Sequence, residues 1–153
     1  MSLQMASLCQ KEANALNIVT MLADAGADLN AHDDFFQYTA LHLAAIKNRP
    51  KLVKLMLHMG CDVNPYYCRL SPLFVAARNK CSQILLDHGA YVQKMEERYC
   101  PLQDAIVHDD VEAVRRYACS PTFDPGHQYM IFEKYTMLHI LLDCQKKIRK
   151  YGL

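Results

Sequence analysis

Glycine is scarce in this chain, and neither sign of charge is in excess. Five glycines are spread over 153 residues, and they form no glycine-rich loop of the kind that cradles phosphate. Seventeen basic and sixteen acidic side chains leave a net charge of +1, which supplies no field to concentrate the chain on nucleic acid or anionic lipid. We therefore predict no cofactor, no nucleic-acid partner and no small-molecule substrate.

Long apolar runs are missing as well. No stretch approaches the ~18 residues that a membrane span needs, and the N-terminus lacks the basic start and apolar stretch of a secretory signal. We therefore predict no membrane contact and a location in the cytoplasm, with the nucleus as an alternative.

Seven cysteines are an odd and high number. In a secreted domain they would suggest a disulfide framework, but five of them lie in or beside apolar helical stretches. A reduced thiol in such a place behaves as a small hydrophobic group. We predict reduced, buried thiols at Cys9, Cys61, Cys81, Cys119 and Cys144.

The chain is organised as an internal repeat with an opening and a closing signal. The opening signal, a helix cap followed by leucine, begins at Thr39, Ser71, Cys100 and Thr136, with a fainter copy at Met1. The closing signal is a glycine followed by a small or polar residue and an apolar one, as in "GADLN", "GCDVN" and "GAYV". Between the two, "KLVKLMLHMG" has the spacing of an amphipathic helix that a glycine stops.

Helix, turn, helix, stop and loop, repeated every ~33 residues, resemble the ankyrin repeat family. The resemblance is strongest in residues 39–64, clear in 71–92, moderate in 100–118 and thin at both ends. It implies an all-α ankyrin-repeat solenoid, in which stacked helix-turn-helix units project their loops from one edge. We predict a single domain over residues 1–153. Its repeats would span about 1–34, 35–66, 67–95 and 96–131, followed by a partial repeat at 132–153.

The third copy is three residues shorter than the second between its Ala-Ala pair and its glycine. Aligned from both ends, the missing residues correspond to Asn48, Arg49 and Pro50, the turn between the helices. We predict a repeat that has lost its turn, with a notch at Arg78–Lys80 that selects the partner. The partial last repeat has no room for a second helix, so the chain is also considered as a fragment or splice form of a longer ankyrin protein.

Adjacent aromatics mark two of the predicted loops, and aromatic and arginine side chains are over-represented in binding hot spots. One aromatic of each pair is expected to pack against the neighbouring repeat and to leave the other exposed. The ends of the first helices add polar candidates on the concave surface. The predicted partner-binding residues are Phe35, Phe36, Tyr66, Tyr67, Arg69, Lys47, Arg78, Asn79 and Arg98.

Catalysis and metal binding are not indicated. His58 and Cys61 with Cys68 approach ligand spacing, but structural zinc sites usually show two paired elements and no second pair is present. Asp109 and Asp110 fall at an interhelix turn, where a solvated turn is the better interpretation than a catalytic carboxylate pair. We predict that the chain is not an enzyme and has no catalytic or metal-binding residue.

The family resemblance implies two further features. His42 and His139 resemble the histidine of the ankyrin motif, which ties backbone and capping threonine together. Asn30 and Asn64 resemble ankyrin sites for β-hydroxylation by an oxygen-dependent asparaginyl hydroxylase.

The predicted function is a non-enzymatic protein–protein interaction module. Two narrower hypotheses remain open. One is the substrate-recognition part of a ubiquitin ligase, as in the ankyrin-plus-SOCS-box proteins. The other is an inhibitor that resembles the inhibitor-of-NF-κB ankyrin proteins.

Overall fold

The computed structural model describes residues 3–65, 70–92 and 100–124. The chain divides into two compact units, Met1–Ala90 and Tyr91–Leu153, which are called unit 1 and unit 2 below. The helices of the described residues pair along the chain, and a single antiparallel bridge accompanies them. The prediction of an all-α repeat fold is confirmed, whereas the exact repeat boundaries stay predictions.

Unit 1 contains six described helices, arranged as three successive helix pairs. They are α1 (Leu3–Ser7), α2 (Glu12–Asp24), α3 (Ala40–Ile46), α4 (Pro50–His58), α5 (Pro72–Val75) and α6 (Cys81–Asp87). Within each pair the two helices pack on each other. The first helices also pack in the order α1, α3, α5, and the second helices in the order α2, α4, α6. No single pair covers its own apolar face, so the stacking of neighbours forms the core.

Equivalent positions of successive repeats build that core. Ala6 on α1, Ala44 on α3 and Ala76 directly after α5 are fully buried at equivalent positions, where a small side chain lets neighbouring helices approach closely. The second helices bury Val19, Val53 and Ser82 at one equivalent position. The Ser82 hydroxyl donates to the Asn79 carbonyl at 3.0 Å, so this polar group is satisfied although it replaces a valine.

Each second helix of unit 1 ends at a glycine in the left-handed region. Gly60 has a φ of 90°, and its N–H donates to the Leu57 carbonyl while the Cys61 N–H donates to that of Met56. Gly26 and Gly89 repeat this bonding. A Cβ at these positions would meet no atom within 4 Å, so glycine is needed for its backbone and not for space. The predicted helix stops are confirmed.

The short third repeat loses helix as well as turn. The turn between α3 and α4 uses Asn48 at a φ of 50°, whereas none of residues 76–80 has a positive φ. Helix α5 has 4 residues where α3 has 7, and tight bonds such as Asn79 N–H to the Ala76 carbonyl continue it. The prediction that only the turn was removed is therefore wrong in this detail. Three missing residues within α6 would rotate its apolar face away from the core, since a helix has 3.6 residues per turn. Shortening α5 instead leaves the apolar face of α6 in place.

Unit 2 contains a fourth helix pair, α7 (Pro101–Val107) and α8 (Val111–Ala118), which pack on each other. Asp109 supplies the left-handed turn residue with a φ of 54°, and Asp110 caps α8 by accepting from the Ala113 N–H at 3.0 Å. The two carboxylates thus belong to an interhelix turn, as predicted.

Tyr117 of α8 is fully buried, and its hydroxyl has no hydrogen-bond partner within residues 3–65, 70–92 and 100–124. Burial raises the pKa of the phenol, which keeps it neutral. A buried, unpaired hydroxyl costs about 1–3 kcal/mol. We therefore expect Tyr117→Phe to raise the free energy of unfolding of unit 2 by about 1 kcal/mol, as measured by hydrogen exchange of the α8 amides. Tyr117→Leu, which removes the ring as well, is expected to lower it, and a destabilised Tyr117→Phe chain would contradict the prediction.

The described cysteines are free thiols in different environments. Cys61, Cys81 and Cys100 are buried, Cys9 is half-buried, and Cys119 is exposed, which corrects the prediction of a buried thiol there. Burial raises the pKa of both Cys61 and Cys81 to about 11, so these two remain protonated and unreactive. Cys144 lies outside the described residues.

Candidate interaction surface

The loop between the first two repeats is a closed, hydrogen-bonded tip. His32 and Thr39 form an antiparallel bridge, and the Asp33 N–H donates to the Tyr38 carbonyl at 3.0 Å. The Asp33 carboxylate accepts from the backbone N–H groups of Phe35 and Phe36 at 2.9 and 2.6 Å, and from that of Tyr38 at 3.0 Å. One carboxylate therefore organises the whole tip.

These bonds stabilise the ionised form of Asp33. The Phe36 N–H is the main cause that lowers the pKa of this carboxyl below its ordinary value, with further help from the Tyr38 and Phe35 N–H groups. The carboxylate stays charged near neutral pH, so the tip keeps its shape there.

Two phenylalanines project from this tip. Phe35 is 94% exposed and Phe36 is 67% exposed. The expectation that one of them packs against the neighbouring repeat is wrong. The Phe36 ring instead stacks on Tyr38 at a centroid distance of 5.5 Å, and Tyr38 stacks in turn on His42 at 5.1 Å. An aromatic ladder thus connects the exposed tip to the buried start of α3.

His42 ties the second repeat to the loop that follows it. Its Nε2–H donates to the Leu70 carbonyl at 2.8 Å, and its Nδ1 accepts from the Thr39 N–H at 3.1 Å. Because a carbonyl can only accept and an amide N–H can only donate, these partners select the neutral ring with the proton on Nε2. Burial lowers the pKa of His42 to about 4. The predicted structural role is confirmed for His42, whereas His139 lies outside the described residues.

Gln4 has the same structural role in the first repeat as His42 has in the second, and the sequence did not predict this role. It occupies the position of His42 after the aligned leucine, and its Nε2 donates to the Ala31 carbonyl at 2.7 Å. An amide N–H can replace an imidazole N–H here, so the repeat keeps its tie without the motif residue.

The predicted polar candidates on the first helices differ in role. Lys47 and Arg78 are exposed and available to a partner. Asn79 is structural: its Nδ2 donates to the Ala45 carbonyl at 2.7 Å and its Oδ1 accepts from the Cys81 N–H at 2.8 Å. Its amide thus ties the short third repeat to the second, at the place where the notch was predicted.

Arg49 makes a similar tie in the other direction. Its guanidinium donates to the Ser7 carbonyl at 3.1 Å and also to the Cys9 carbonyl. Residues 48, 49 and 79 therefore join three repeats through backbone carbonyls and N–H groups. Single-residue patterns did not reveal this, because the bond partners come from other repeats.

An apolar column on the first helices was also missed. Met5 and Leu8 near α1, and Ile46 at the end of α3, are exposed at 60%, 41% and 43%. Leu8, Ile46 and Arg78 occupy the same position of successive repeats, and α1 packs on α3 and α3 on α5. Two exposed apolar side chains, Leu8 and Ile46, thus repeat at one register of neighbouring helices, and Met5 lies three residues before Leu8.

Asn30 and Asn64 lie in matching turns. The Asn30 Oδ1 accepts from the Asp62 N–H at 2.8 Å, and the Asn64 Nδ2 donates to the Gly89 carbonyl at 3.0 Å. Both side chains thus link consecutive repeats. Their hydroxylation stays a prediction.

Four predicted contact residues cannot be placed on this surface. Tyr66, Tyr67, Arg69 and Arg98 lie outside the described residues, as does the predicted partial repeat at 132–153. Within residues 3–65, 70–92 and 100–124, no group of three or more histidine, cysteine, aspartate or glutamate side chains could hold a metal ion. No helix in that same part of the chain is long and apolar enough to cross a membrane.

Known proteins share these features over part of the chain. A family model for ankyrin repeats, in three copies, matches residues 3–67. The human protein named "Ankyrin repeat and SOCS box protein 6" is 42% identical over 78 residues, which cover 47% of this chain and 18% of the relative. The mouse protein of the same name is 36% identical over 98 residues, covering 60% of this chain and 23% of the relative. The chain spans about a fifth of the length of these curated relatives.

The matched family explains the helix pairs, the glycine stops and the histidine tie. Ankyrin repeats use their stacked surfaces to bind other proteins, and neither comparison names a catalytic family. Residues 3–67 therefore match ankyrin repeats, which are protein-interaction modules, and the described helix pairs have the all-α architecture of stacked ankyrin repeats.

Proposed function

We propose that this chain binds a protein partner through the tip at Phe35 and Phe36 together with the apolar column of Met5, Leu8 and Ile46. The observation that carries the proposal is the exposure of Phe35, which is 94%. When a partner covers such a large apolar side chain, its surface is removed from water, which favours binding.

The tip suits binding because it is organised in advance. Three backbone N–H groups hold the loop on Asp33, and the Phe36 ring rests on Tyr38. A partner therefore does not have to order this loop, and the entropy that ordering costs is avoided. Aromatic side chains on such a scaffold are typical binding hot spots.

The charges beside the column favour one kind of partner. Lys47 follows Ile46 directly, and Arg78 takes the position of Ile46 in the third repeat. Both are exposed. We expect a partner segment that places apolar side chains on the column and acidic side chains opposite these two cations.

Within this function, we favour the substrate-recognition part of a ubiquitin ligase. The support is the similarity to relatives named for an ankyrin repeat and a SOCS box. No comparison favours the inhibitor-of-NF-κB hypothesis to the same degree. The proposal includes a non-enzymatic role and a cytoplasmic location.

The test is affinity capture by the full chain with three proteins compared side by side. Phe35→Ala combined with Phe36→Ala should lower the affinity for a captured partner by about 30-fold or more, which corresponds to a hot spot of about 2 kcal/mol. Met21→Ala is the control, since Met21 is also exposed, at 70%, but lies on the second helix α2. A partner that is lost with the double variant and kept with the control supports the proposal. Equal capture by all three proteins would contradict it.

The identity of the proteins that the wild-type chain recovers separates the two narrower hypotheses. Recovery of elongin and cullin subunits with the chain supports the ligase hypothesis. Recovery of Rel-type transcription factors instead supports the inhibitor hypothesis.

A further inference from the structure

Two histidines from consecutive repeats meet on the surface of unit 1. His58 is the last residue of α4, and His88 directly follows α6. Their ring centroids are 5.9 Å apart with an interplanar angle of 65°. Both residues are exposed, and α4 packs on α6. The packing of these two helices, and not a local motif, brings the imidazoles together.

Both rings are oriented by the same kind of hydrogen bond. The Nδ1 of His58 lies 2.7 Å from the Lys54 carbonyl, and the Nδ1 of His88 lies 2.8 Å from the Ile84 carbonyl. Because a carbonyl only accepts, each Nδ1 carries the proton and each Nε2 keeps its lone pair. Neither Nε2 has a protein partner among the described residues.

This is the state in which histidine binds metals. A metal-ligating imidazole typically donates its second ring N–H to a backbone carbonyl or carboxylate, which orients the ring and raises the basicity of the ligating nitrogen. The carbonyls of Lys54 and Ile84 supply that support for both rings.

The separation of the rings is close to what one shared ion needs. A metal–nitrogen bond is ~2.0–2.1 Å and the nitrogen lies ~1.2 Å from its ring centroid, so two imidazoles on one ion have centroids ~5.2 Å apart at a tetrahedral angle and ~6.5 Å apart in a linear arrangement. The observed 5.9 Å lies between these values, so tetrahedral binding requires the two exposed rings to approach by ~0.7 Å.

We propose that His58 and His88 form a two-imidazole site for a divalent transition-metal ion of the zinc class. Imidazole is a ligand that Zn²⁺, Ni²⁺ and Cu²⁺ share. Water completes the coordination, since the described residues offer no third ligand there. A bound ion bridges the second and third repeats, so it stabilises their stacking. The two histidines lie at the ends of the second helices α4 and α6, whereas the proposed partner-binding residues lie on or next to the first helices and in the loop before α3.

Calorimetric titration of the reduced full chain with Ni²⁺ tests the site, at a slightly alkaline pH that leaves imidazole neutral. The variants are His58→Ala and His88→Ala, which remove exposed side chains. His108→Ala is the control, because the His108 Nδ1 also lies 2.9 Å from the Asp104 carbonyl four residues earlier. It differs from the pair in lying 3.3 Å from the Asp104 carboxylate and in stacking on no second imidazole among the described residues. We expect Ni²⁺ affinity to fall at least ~10-fold in either variant and to remain unchanged in the control.

Two further readouts connect the binding to the pair. Ni²⁺ should raise the Tm of the wild-type chain and of His108→Ala, but not that of His58→Ala or His88→Ala. It should also broaden the imidazole proton signals of both His58 and His88 at the same metal concentration. Wild-type affinity in either variant, or an equal loss with His108→Ala, would overturn the proposal.

Discussion

Acidification from pH 6.5 to pH 4 is expected to lower the free energy of unfolding of unit 1 by roughly 3 kcal/mol through His42 alone. Burial is the main cause, because the fully buried ring loses the water that would solvate an imidazolium. Protonation would also place a proton on Nδ1, which faces the Thr39 N–H.

The sign follows from proton binding. The ordinary pKa of 6.5 applies to the unfolded chain, and the pKa of about 4 applies to the folded chain. Between these values the unfolded chain binds the extra proton, so the stabilisation is complete above pH 6.5 and is lost as the pH falls to 4. Asp33 acts in a different window, since its lowered pKa starts from 3.8.

His42→Gln is the variant that isolates this effect. A glutamine does not titrate, and Gln4 already donates from its Nε2 to the equivalent loop in the first repeat. Urea unfolding curves at several pH values should show a steep loss of stability for the wild-type chain and a shallower one for His42→Gln. The same pH dependence in both proteins would show that His42 is not the titrating group.

Leu52→Ala is the substitution for which we expect the largest loss of stability at neutral pH, about 3 kcal/mol. Leu52 is fully buried on α4, the central second helix of unit 1. This helix packs on α2, α3 and α6, so the cavity would lie among three repeats that hold one another in place.

The control for the cavity lies on the same helix. Leu57→Ala makes the same chemical change at a partly exposed position of α4, so helix propensity is matched and burial differs. Its expected cost is below 1.5 kcal/mol by comparison with fully buried sites. Denaturant unfolding followed by circular dichroism measures both, and equal losses would contradict a core role for Leu52.

Some features of this protein could be read from the sequence because their causes are local. The glycine stops at Gly26, Gly60 and Gly89 need a left-handed backbone that only glycine adopts cheaply. Ser71 begins α5 by accepting from the Phe74 N–H three residues on. In each of these signals the interacting residues lie within a few positions of one another in the sequence. The repeat and its all-α fold could therefore be predicted.

Other features were decided by which repeats stack on one another. Gln4, Arg49 and Asn79 are bound to carbonyls that lie far away in the sequence, and no local pattern identifies those partners. The meeting of His58 with His88 depends in the same way on the packing of α4 against α6.

The Phe35–Phe36 tip lies between these two cases. The sequence by itself determined that two aromatics stand in a loop, because no helix or core pattern includes them. Only the tertiary structure decided that both are exposed. The Asp33 carboxylate accepts hydrogen bonds from the Phe35 and Phe36 N–H groups, and in this loop conformation both rings lie in solvent. The Phe36 ring stacks on Tyr38 of the same loop and not on a neighbouring repeat. Sequence patterns report which side chains are apolar, but the burial of each one is settled by the geometry of the chain around it.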